Sequence, residues 1–379
     1  MKWELKTLDE LGFVGRGKSR HRPRNANHLY GGNYPFIQTG DIQKANFYIT
    51  EYSQTYSEEG LAQSKIWNKG TMVISIVGAN TAETAVLGID ACFPDSVIGF
   101  IPDKQKADLR FVKYTLENLK SHLKGISEGT ARENLSLEKL LSIKLPIPAL
   151  NTQRKIAAII SVYDDLIENN LKRIKLLEEK LNIEFKHLED AAKNSKEYDF
   201  SNFVTFIKGI EPGSHNYLNN QTHGTIPFIR VGDLSKRNTD TFIEESKSKG
   251  VLCQPNDVLI SMDGTVGIVK YGFYGCYSSG IRKAVSNGVL NNAFIFCYLL
   301  SSSIQNVIYS HSKGSTIQHA GSSIKHFKIK LPKAVPLKNF IKTSDPIYNL
   351  MMNLSMQNIK LREARDILLP RLMSDQIEV

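Results

Sequence analysis

The sequence predicts an α+β protein in which two mixed α/β domains form a pseudo-twofold tandem repeat, separated by two long helices packed as an antiparallel coiled coil. Three observations support this fold class. Segments of the first half recur in the second, two long stretches carry apolar residues at helical spacing, and other apolar residues fall in short strand-like runs. With 379 residues, the chain is long enough for two domains with separate cores.

The internal repeat consists of three pairs of similar segments that occur in the same order. The pairs are Tyr34–Ile42 with Ile226–Leu234, Val73–Gly78 with Leu259–Gly264, and Ile143–Pro146 with Ile329–Pro332. Their offsets are 192, 186 and 186 residues. Three ordered matches at nearly one offset predict a tandem duplication with the order domain, helix, domain, helix.

Each domain is predicted to be mixed α and β. Short β-rich runs bounded by Gly, Asn and Pro predict strands, and a longer run with helical spacing in each domain predicts a helix. The strands are Phe36–Gln38, Met72–Val77, Val97–Ile101, Phe228–Val231 and Val258–Met262, and the helices are Leu109–Leu123 and Phe294–Tyr309.

The first long helix is predicted over Asn151–Lys193, where apolar residues recur in steps of three and four from Ile156 to Leu188. Some forty residues give a rod of roughly 60 Å. A second long helix is predicted over Asp345–Met373, with Pro346 in its first turn and Pro370 ending or kinking it. The predicted domains are therefore 1–150 and 194–336, each followed by a helical segment, 151–193 and 337–379.

Charge and composition point to a polyanionic partner. The net charge is +10 and the pI is about 9.2, which favours nucleic acid as a partner. The four cysteines form no Cys-x-x-Cys pair, so we expect no structural metal, and free cysteines suit a reducing cytoplasm. The N-terminal residues lack a signal peptide's apolar region, and no apolar run is long enough to span a membrane.

A basic segment near the N-terminus has two interpretations. In the first, the segment forms a loop whose basic residues contact DNA phosphates and guanine edges. These residues are Arg16, Lys18, Arg20, Arg22 and Arg24. The overlapping Gly12–Ser19 segment satisfies the pattern G-x-x-x-x-G-K-S of a nucleotide-binding loop. The preceding residues are polar and the following Arg20–Asn25 cannot start an apolar helix, so the first interpretation is favoured.

The remaining candidate DNA contacts lie in the repeated segments. Gly40-Asp41 and Gly232-Asp233 are interpreted as turns with glycine at positive φ, beside which Gln38 and Arg230 can reach bases. The full set of these candidates is Gln38, Thr39, Asp41, Thr130, Arg132, Asn134, Arg230, Asp233, Lys236, Arg237, Ser315, Thr316 and Gln318. No catalytic motif is recognisable, which favours a binding module. An ATPase or nuclease using Gly12–Ser19, and a coiled-coil scaffold without a nucleic-acid role, are the alternatives.

Two longer motifs carry a family resemblance. Leu145–Leu150, Gln153–Ala157 and Asp164–Asn169 resemble the central conserved helix, with its lead-in, of the specificity subunits of type I restriction–modification systems. Leu361–Ser374 resembles the C-terminal segment of the same family. Thr152 stands where the family often has Glu, and the second lead-in, Leu331–Leu337, lacks the Gln-x-x-Ile motif that follows the first.

The resemblance implies a division of labour. Each globular half would be a target recognition domain that reads one half of a bipartite, asymmetric site in double-stranded DNA, and the helices would set the spacer. The chain itself would do no chemistry, bind no cofactor and lie in the cytoplasm. It would dock two methyltransferase subunits and, with them, two restriction subunits that act as motor and nuclease. S-adenosylmethionine, ATP and Mg would be used by those partners.

Independent reading by the two halves can be tested by domain exchange. Replacing residues 200–330 with the corresponding domain of another family member should change only one half-site, because the other half keeps all its contacts. Methylome sequencing of the host would measure both half-sites. A change in both would refute independent readout.

Overall fold

The computed structural model describes residues 3–21, 23, 25–128, 134–236, 239–312 and 318–374. The chain divides into two compact units. Unit 1 comprises Met1–Glu168 and Lys360–Val379, and unit 2 comprises Asn169–Ile359. Two long helices, α7 (Leu150–Ala191) and α11 (Ala334–Met373), contribute residues to both units.

Unit 1 contains two sheets and a short strand pair. Its strands are β1 (Glu4–Lys6), β2 (Gly12–Arg16), β3 (Tyr30–Phe36), β4 (Tyr48–Ile49), β5 (Gln54–Tyr56), β6 (Ile66–Trp67), β7 (Met72–Ser75), β8 (Thr84–Leu87), β9 (Ala91–Cys92), β10 (Val97–Pro102) and β11 (Leu145–Ile147). Its other helices are α1 (Leu8–Leu11), α2 (Thr39–Lys44), α3 (Glu58–Ala62), α4 (Leu109–Asn118), α5 (Lys120–Glu128) and α6 (Leu137–Ser142). The strand orders are β2-β10-β7-β8-β4, β5-β3-β9-β6 and β1-β11.

Unit 2 repeats this plan. Its strands are β12 (Glu197–Asp199), β13 (Val204–Lys208), β14 (Thr225–Ile229), β15 (Phe242–Glu244), β16 (Leu252–Cys253), β17 (Val258–Ser261), β18 (Asp263–Gly264), β19 (Val269–Lys270), β20 (Gly275–Tyr277), β21 (Ile281–Ser286), β22 (Gln318–His319) and β23 (Lys328–Lys330). Its other helices are α8 (Val231–Lys236), α9 (Asn292–Leu300) and α10 (Ser302–Ser310). The strand orders are β13-β21-β17-β19, β15-β14-β20-β16, β12-β23 and β18-β22.

The sheet topologies confirm the tandem repeat. The order β2-β10-β7-β8 in unit 1 matches β13-β21-β17-β19 in unit 2, and β5-β3-β9-β6 matches β15-β14-β20-β16. In both units the second and third strands of the latter sheet, β3 with β9 and β14 with β20, pair in parallel. The predicted mixed α/β character of each half is therefore confirmed.

The core of each unit is built around a strand that is buried on both faces. Met72 and Ile74 of β7 pack in the cluster that includes Phe111 of α4, whereas Val73 points to the opposite face, in a cluster with Trp67. In unit 2, Val258 and Ile260 of β17 face α9, and Leu259 faces the second sheet. The period of two along a strand places successive side chains in these two layers, which explains the continuous apolar run.

Within each unit, α7 and α11 run antiparallel. In unit 1, Asp164 of α7 contacts Arg365 of α11, with 2.6 Å between carboxylate and guanidinium. In unit 2, Asn170 donates a 2.9 Å hydrogen bond to Asn358, and the ring centroids of Phe185 and Phe340 lie 5.9 Å apart. Rising residue numbers on one helix meet falling numbers on the other, so the predicted antiparallel pairing is confirmed inside each unit.

The predicted start of the second long helix is wrong. Helix α11 begins at Ala334, so Pro336 lies in its first turn and Pro346 lies in its interior. Burial of Phe340, Ile347 and Tyr348 explains why the helix tolerates an interior proline, since packing offsets the lost backbone hydrogen bond. The helix also continues past Pro370, whose carbonyl accepts a 3.0 Å hydrogen bond from the Ser374 amide.

The single helix predicted in each half is also wrong, because each is two helices. In unit 1 the break falls at Leu119, between α4 and α5. In unit 2 it falls at Ser301, whose backbone is extended, and α9 and α10 meet at a bend of 60°. The extended backbone at Ser301 interrupts the helical conformation between α9 and α10.

Other general predictions concern metals, cysteines and membranes. All four cysteines are buried and free. In the part of the chain that the structure describes, no three His, Cys, Asp or Glu side chains are grouped to hold a metal ion. Among the same residues, no single helix is long and apolar enough to span a membrane; only α9 and α10 taken together, with the bend between them, have that length and apolar composition.

A hairpin turn at the end of β7 and β17 requires positive φ in both units. The position is Gly267 in unit 2, with φ of 82°, and Ala82 in unit 1, with φ of 65°. The amides of these residues make the same bond, 2.9 Å to the carbonyl oxygens of Ser261 and Ser75 respectively. A Cβ on Gly267 would also lie 2.5 Å from Oε1 of Gln305.

We therefore expect Gly267→Ala to lower the free energy of unfolding by on the order of 1–3 kcal/mol, because it adds backbone strain and displaces the Gln305 amide. Chemical denaturation measures this. Gly125→Ala is the matched control, since Gly125 lies in α5 with no atom near its position for a Cβ, and it should be neutral or stabilising. Equal effects of the two substitutions would contradict the expectation.

Candidate nucleic-acid interface

Parallel pairing brings two strand ends to the same edge of the second sheet in each unit. In unit 1, Phe36 of β3 pairs with Cys92 of β9, and the amide of Ile37 donates a 2.8 Å hydrogen bond to the Cys92 carbonyl. In unit 2, Phe228 pairs with Cys276, and the amide of Ser278 donates to the Ile229 carbonyl at 2.8 Å. The residues that follow these strands, Gln38 and Arg230 among them, therefore lie at one edge, which we call the recognition edge of each unit.

A short helix begins at each recognition edge. The carboxylate of Asp41 accepts a 2.8 Å hydrogen bond from the amide of Gln38, and that of Asp233 accepts one of 2.9 Å from the amide of Arg230. These aspartates are only 7% and 5% exposed. They cap α2 and α8 and hold the backbone on which Gln38 and Arg230 are mounted.

Two sequence expectations at this edge are corrected. Gly40 and Gly232 lie in the first turns of α2 and α8 and do not have positive φ, so the predicted glycine turn is wrong. Strand β3 ends at Phe36, so Gln38 is a helix cap and not a strand residue. DNA contact by Asp41 and Asp233 stays a prediction, and both carboxylates are buried and bonded to backbone amides.

The exposed groups at the edge differ between the units. Gln38 is half-buried, and its Nε2 donates a 2.8 Å hydrogen bond to Oε1 of Gln54. Arg230 is half exposed, with its Nε 3.6 Å from the Asp233 carboxylate. The same backbone position thus presents an amide in one unit and a guanidinium in the other.

The second repeated segment reaches the same edge. In unit 1, Nδ2 of Asn80 lies 3.4 Å from Oγ1 of Thr39 at the start of α2. In unit 2, a Cβ on Gly264 would lie 3.8 Å from Val231, the first residue of α8. The turns that follow β7 and β17 therefore contact the helix starts.

The third repeated segment is joined to the second by one backbone hydrogen bond in each unit. The amide of Leu135 donates to the Ile76 carbonyl at 3.0 Å, and the amide of Ala320 donates to the Met262 carbonyl at 2.7 Å. Asn134 and His319, the residues before these amides, occupy corresponding positions. All three repeated segments, distant in sequence, thus converge at the recognition edge.

The basic segment of unit 1 has an anchored backbone and outward side chains. The amides of Gly17 and Lys18 each donate a 3.0 Å hydrogen bond, to the carbonyls of Val97 and Phe93 respectively. The Lys18 carbonyl accepts a 2.8 Å bond from the hydroxyl of Ser64. Gly17 and Ser19 are buried whereas Arg16, Lys18 and Arg20 are exposed, so charged side chains project from a fixed backbone.

This anchoring contradicts the nucleotide-binding interpretation of Gly12–Ser19. A phosphate-binding loop follows a strand, opens a helix and leaves its amides free for phosphate oxygens. Here Gly12–Arg16 is itself a strand, and no helix begins between Gly17 and His21. The amides of Arg20 and His21 both donate to Oε1 of Gln63, at 2.5 and 2.9 Å, so they are already bonded within the protein.

The basic segment is not repeated in unit 2. The amides of Gly209 and Ile210 donate to Ile281 and Tyr277 at 3.1 and 3.0 Å, as those of Gly17 and Lys18 do in unit 1. Ile210 therefore stands where unit 1 has Lys18, and Glu211 follows it. Burial raises the pKa of Tyr217 to about 12, helped by a 2.5 Å hydrogen bond from its hydroxyl to Glu211.

Several predicted contacts cannot be located. Arg22, Arg24, Thr130, Arg132, Arg237, Ser315 and Thr316 lie outside the described residues, as does the side chain of Lys236. Of the others in those segments, Asn134 is half-buried and Gln318 is exposed in β22. The described basic residues and the edge residues are thus the geometric basis for a DNA interface.

Sequence reasoning missed two edge residues in unit 2. Nδ1 of His319 lies 2.8 Å from Oδ1 of Asp263, across the β18–β22 pair. The repeat contains a signal that could have identified Asp263. The offset of 186 residues aligns Asp263 with Val77, so an acidic residue replaces an apolar one within an otherwise similar segment. Burial lowers the pKa of Arg282 nearby, and the charge of Asp263 partly opposes that effect.

The start of α7 is tied to the globular part of unit 1. Gln153, 1% exposed, accepts a 3.0 Å hydrogen bond from the Asp108 amide and donates to the carbonyls of Lys106 and Pro148 at 3.1 and 3.0 Å. This explains the Gln153–Ile156 motif physically, because the amide side chain satisfies three buried backbone groups.

Further along α7, a buried polar cluster joins three helices of unit 1. The carboxylate of Asp164 accepts hydrogen bonds of 2.6 Å from both the Tyr114 hydroxyl and the Arg365 guanidinium. Burial raises the pKa of Tyr114, and the Asp164 charge raises it further. Burial alone would lower the pKa of Arg365, but Asp164 and Asp366 raise it above its ordinary value.

The opposite face of α7 is apolar and exposed. Ile159, Val162 and Leu166 are 38%, 55% and 44% exposed at spacings of three and four residues. Residues at this spacing form one stripe on a helix. An exposed apolar stripe of this kind is typical of a surface that binds another protein, because a solvent-facing stripe would otherwise be polar.

Comparison with known proteins agrees with these observations. The family model described as type I restriction modification DNA specificity domain matches residues 1–179 and 213–339. The chain is 24% identical to the type I restriction enzyme MjaIX specificity subunit of Methanocaldococcus jannaschii, over 100% of this chain and 94% of that protein. It is also 24% identical to a putative type I restriction enzyme specificity subunit, S.HindORF215P, of Haemophilus influenzae, over 88% and 84% of the two chains.

A solved structure shares the fold. The crystal structure of the type I restriction–modification system S subunit from M. genitalium matches with a TM-score of 0.55 at 18% identity, and the match covers 98% of this chain and 96% of that chain.

Proposed function

Since this chain belongs to the family of type I restriction modification DNA specificity domains, we propose that each of its units reads one half of a bipartite, asymmetric site in double-stranded DNA. The chain is a DNA sequence-specificity subunit of a type I restriction–modification system. The observation that carries the proposal is the repeated recognition edge. It has one backbone plan in both units but different exposed side chains, which is what reading two different half-sites requires.

Phosphate contacts in unit 1 come from Arg16, Lys18 and Arg20. Their side chains are exposed on an anchored backbone, so binding immobilises only the side chains and not the loop. Arg22 and Arg24 extend this basic set. Lysine and arginine on phosphates supply affinity and fix the register of the protein on the duplex without carrying sequence information.

Base contacts come from residues that start the edge helices. Gln38 presents an amide suited to adenine, and Arg230 a guanidinium suited to guanine. Thr39 and Asn134 in unit 1, and Gln318 in unit 2, lie in the converging segments and add polar contacts; Thr130, Arg132, Lys236, Arg237, Ser315 and Thr316 belong to the same segments by sequence. Asp41 and Asp233 act through the backbone that they hold.

The long helices have two roles in this proposal. The stripe of Ile159, Val162 and Leu166 docks a methyltransferase subunit, and the repeat provides for two such subunits. Two restriction subunits join that assembly. The methylation and cleavage chemistry, with S-adenosylmethionine, ATP and Mg, belongs to these partners. The antiparallel pairing of α7 and α11 sets the spacer between the half-sites.

The phosphate role predicts a change in salt dependence. Lys18→Ala with Arg20→Ala should weaken DNA binding by the complex and reduce the slope of log affinity against log salt by about 0.9 per lost contact. Affinity of the complex with its methyltransferase subunits, measured at several salt concentrations, gives the slope.

The matched control is Lys69→Ala with Lys104→Ala. It removes the same charge from another part of the surface. Lys69 precedes β7 and Lys104 follows β10, and the β7–β10 register places both at the end of the five-stranded sheet that is remote from Gly17. It should leave the slope nearly unchanged. Identical slopes for both double variants would reject specific phosphate contacts by Lys18 and Arg20.

The spacer role predicts the effect of lengthening both helices. Inserting seven helical residues after Leu177 in α7 and seven after Met351 in α11 should preserve the packing faces and add about 10 Å, or roughly three base pairs, to the spacer. The half-sites themselves should not change. Methylome sequencing would reveal the recognised site, and an unchanged spacer in a folded, active variant would end the ruler proposal. Insertion into α7 alone is the control and should destabilise the protein, because it mismatches the helix pair.

A further inference from the structure

Unit 2 has an aspartate–histidine pair at its recognition edge, at positions where the described residues of unit 1 are Val77 and Asn134. Strands β18 and β22 align Asp263 opposite His319, and Nδ1 of the histidine lies 2.8 Å from Oδ1 of the aspartate. The corresponding residues of unit 1 are Val77 and Asn134, which cannot form such a pair. The pair is therefore a feature of one half only, as expected of a residue that distinguishes the two half-sites.

The pair lies beside the groups already assigned to recognition. Gly264, next to Asp263, is close to Val231, and a Cβ on Gly280 would lie 2.9 Å from Val231 and 3.3 Å from Cβ of Asp263. Val231 directly follows Arg230. The His319 side chain is 64% exposed, whereas that of Asp263 is 28% exposed. The histidine therefore faces solvent at the edge while the aspartate lies behind it.

The aspartate determines which ring nitrogen is available. An ionised carboxylate only accepts hydrogen bonds, so Nδ1 of His319 carries the proton that is shared with Asp263. In the neutral ring, Nε2 is then an acceptor. A protein acceptor that enters the major groove can accept a hydrogen bond from the exocyclic amino group of adenine or cytosine.

The neighbouring arginine serves a different purpose. Arg282 donates hydrogen bonds of 2.6 and 3.1 Å to the carbonyls of Ser279 and Ile281, so its guanidinium is engaged within the protein. Its charge interacts with Asp263. The positive charge of Arg282 offsets the negative charge of Asp263. His319 can therefore approach the DNA phosphates without the repulsion that an isolated aspartate would cause.

We propose that His319, oriented by Asp263, is a specificity-determining residue of the half-site read by unit 2, and that its Nε2 accepts a hydrogen bond from the amino group of adenine or cytosine. His319 contacts the base, and Asp263 is a positioning residue. The inference rests on the proposed function, since it presupposes that this edge meets DNA.

The test is a selection of bound sequences from a DNA library randomised in both half-sites, using the complex of the full chain with its methyltransferase subunits. His319→Ala should relax preference at one position of the half-site read by unit 2, with discrimination falling roughly 5- to 150-fold. His319→Gln, which keeps an acceptor, should retain part of the preference. Asp263→Asn should give an intermediate loss while the histidine remains, because asparagine can also donate and no longer fixes the ring.

His223→Ala is the matched control. His223 is exposed and precedes β14, whereas Arg230 follows it, so the control histidine lies at the opposite end of the same strand. It should leave both half-sites unchanged. Thermal unfolding of each variant establishes that it is folded.

Unchanged preference in folded His319→Ala and His319→Gln, with the wild-type complex still selecting a bipartite site, would overturn this inference and leave the proposed function standing. Relaxation confined to the other half-site would overturn it as well. If the wild-type complex selected no bipartite site, the proposed function itself would fail.

Discussion

The parallel pairing of two short strands in each unit determines which side chains can meet. Phe36 with Cys92, and Phe228 with Cys276, are brief contacts, yet they bring the chain ends that follow them to one edge. The helix caps Asp41 and Asp233 then fix the first residues beyond the strands, and the turns after β7 and β17 complete the edge. Because main-chain hydrogen bonds and two buried aspartates hold the edge in place, exposed side chains can differ between the units without loss of the scaffold.

Each unit ties the long helices to its globular part in its own way. In unit 1, Asp164 of α7 is bonded to Tyr114 of the globular part and to Arg365 of α11. In unit 2, Glu178 of α7 accepts a hydrogen bond from Tyr271 of the globular part, and the neutral pair Asn170 and Asn358 joins the two helices. Removing one partner of a buried ion pair costs far more than the pair contributes, so the unit 1 arrangement is the more sensitive to substitution. The helices are thus held by directional bonds as well as by apolar packing, and directional bonds select one register.

The large-scale organisation is predictable because periodicity and repetition can be read directly from the order of residues, without knowing which segments meet in the fold. The bounds of α7 were predicted within two residues, since its apolar stripe is uninterrupted. Helix α11 begins earlier than predicted, because Pro346 is a start signal in the sequence alone whereas tertiary packing carries the helix through it. The glycine turns at Gly40 and Gly232 were misjudged because the same short motif opens a helix here.

The candidate site was harder to predict than the fold. The basic segment was visible as a charge cluster, but its anchoring depends on Gln63 and Phe93, which are distant in sequence. The convergence of the repeated segments depends on strand order, which pattern reasoning did not supply. Asp263 and His319 were missed because their meaning lies in their pairing across β18 and β22.

The buried cysteines have a practical consequence. Burial raises the pKa values of Cys253, Cys276 and Cys297 to about 12, 11 and 12, and it also raises that of Cys92. Thiol-selective dyes react with the thiolate of accessible cysteines, so the native chain is a nearly silent background for labelling at neutral pH. Single cysteines introduced on the surface could then carry fluorophores without first removing the natural ones.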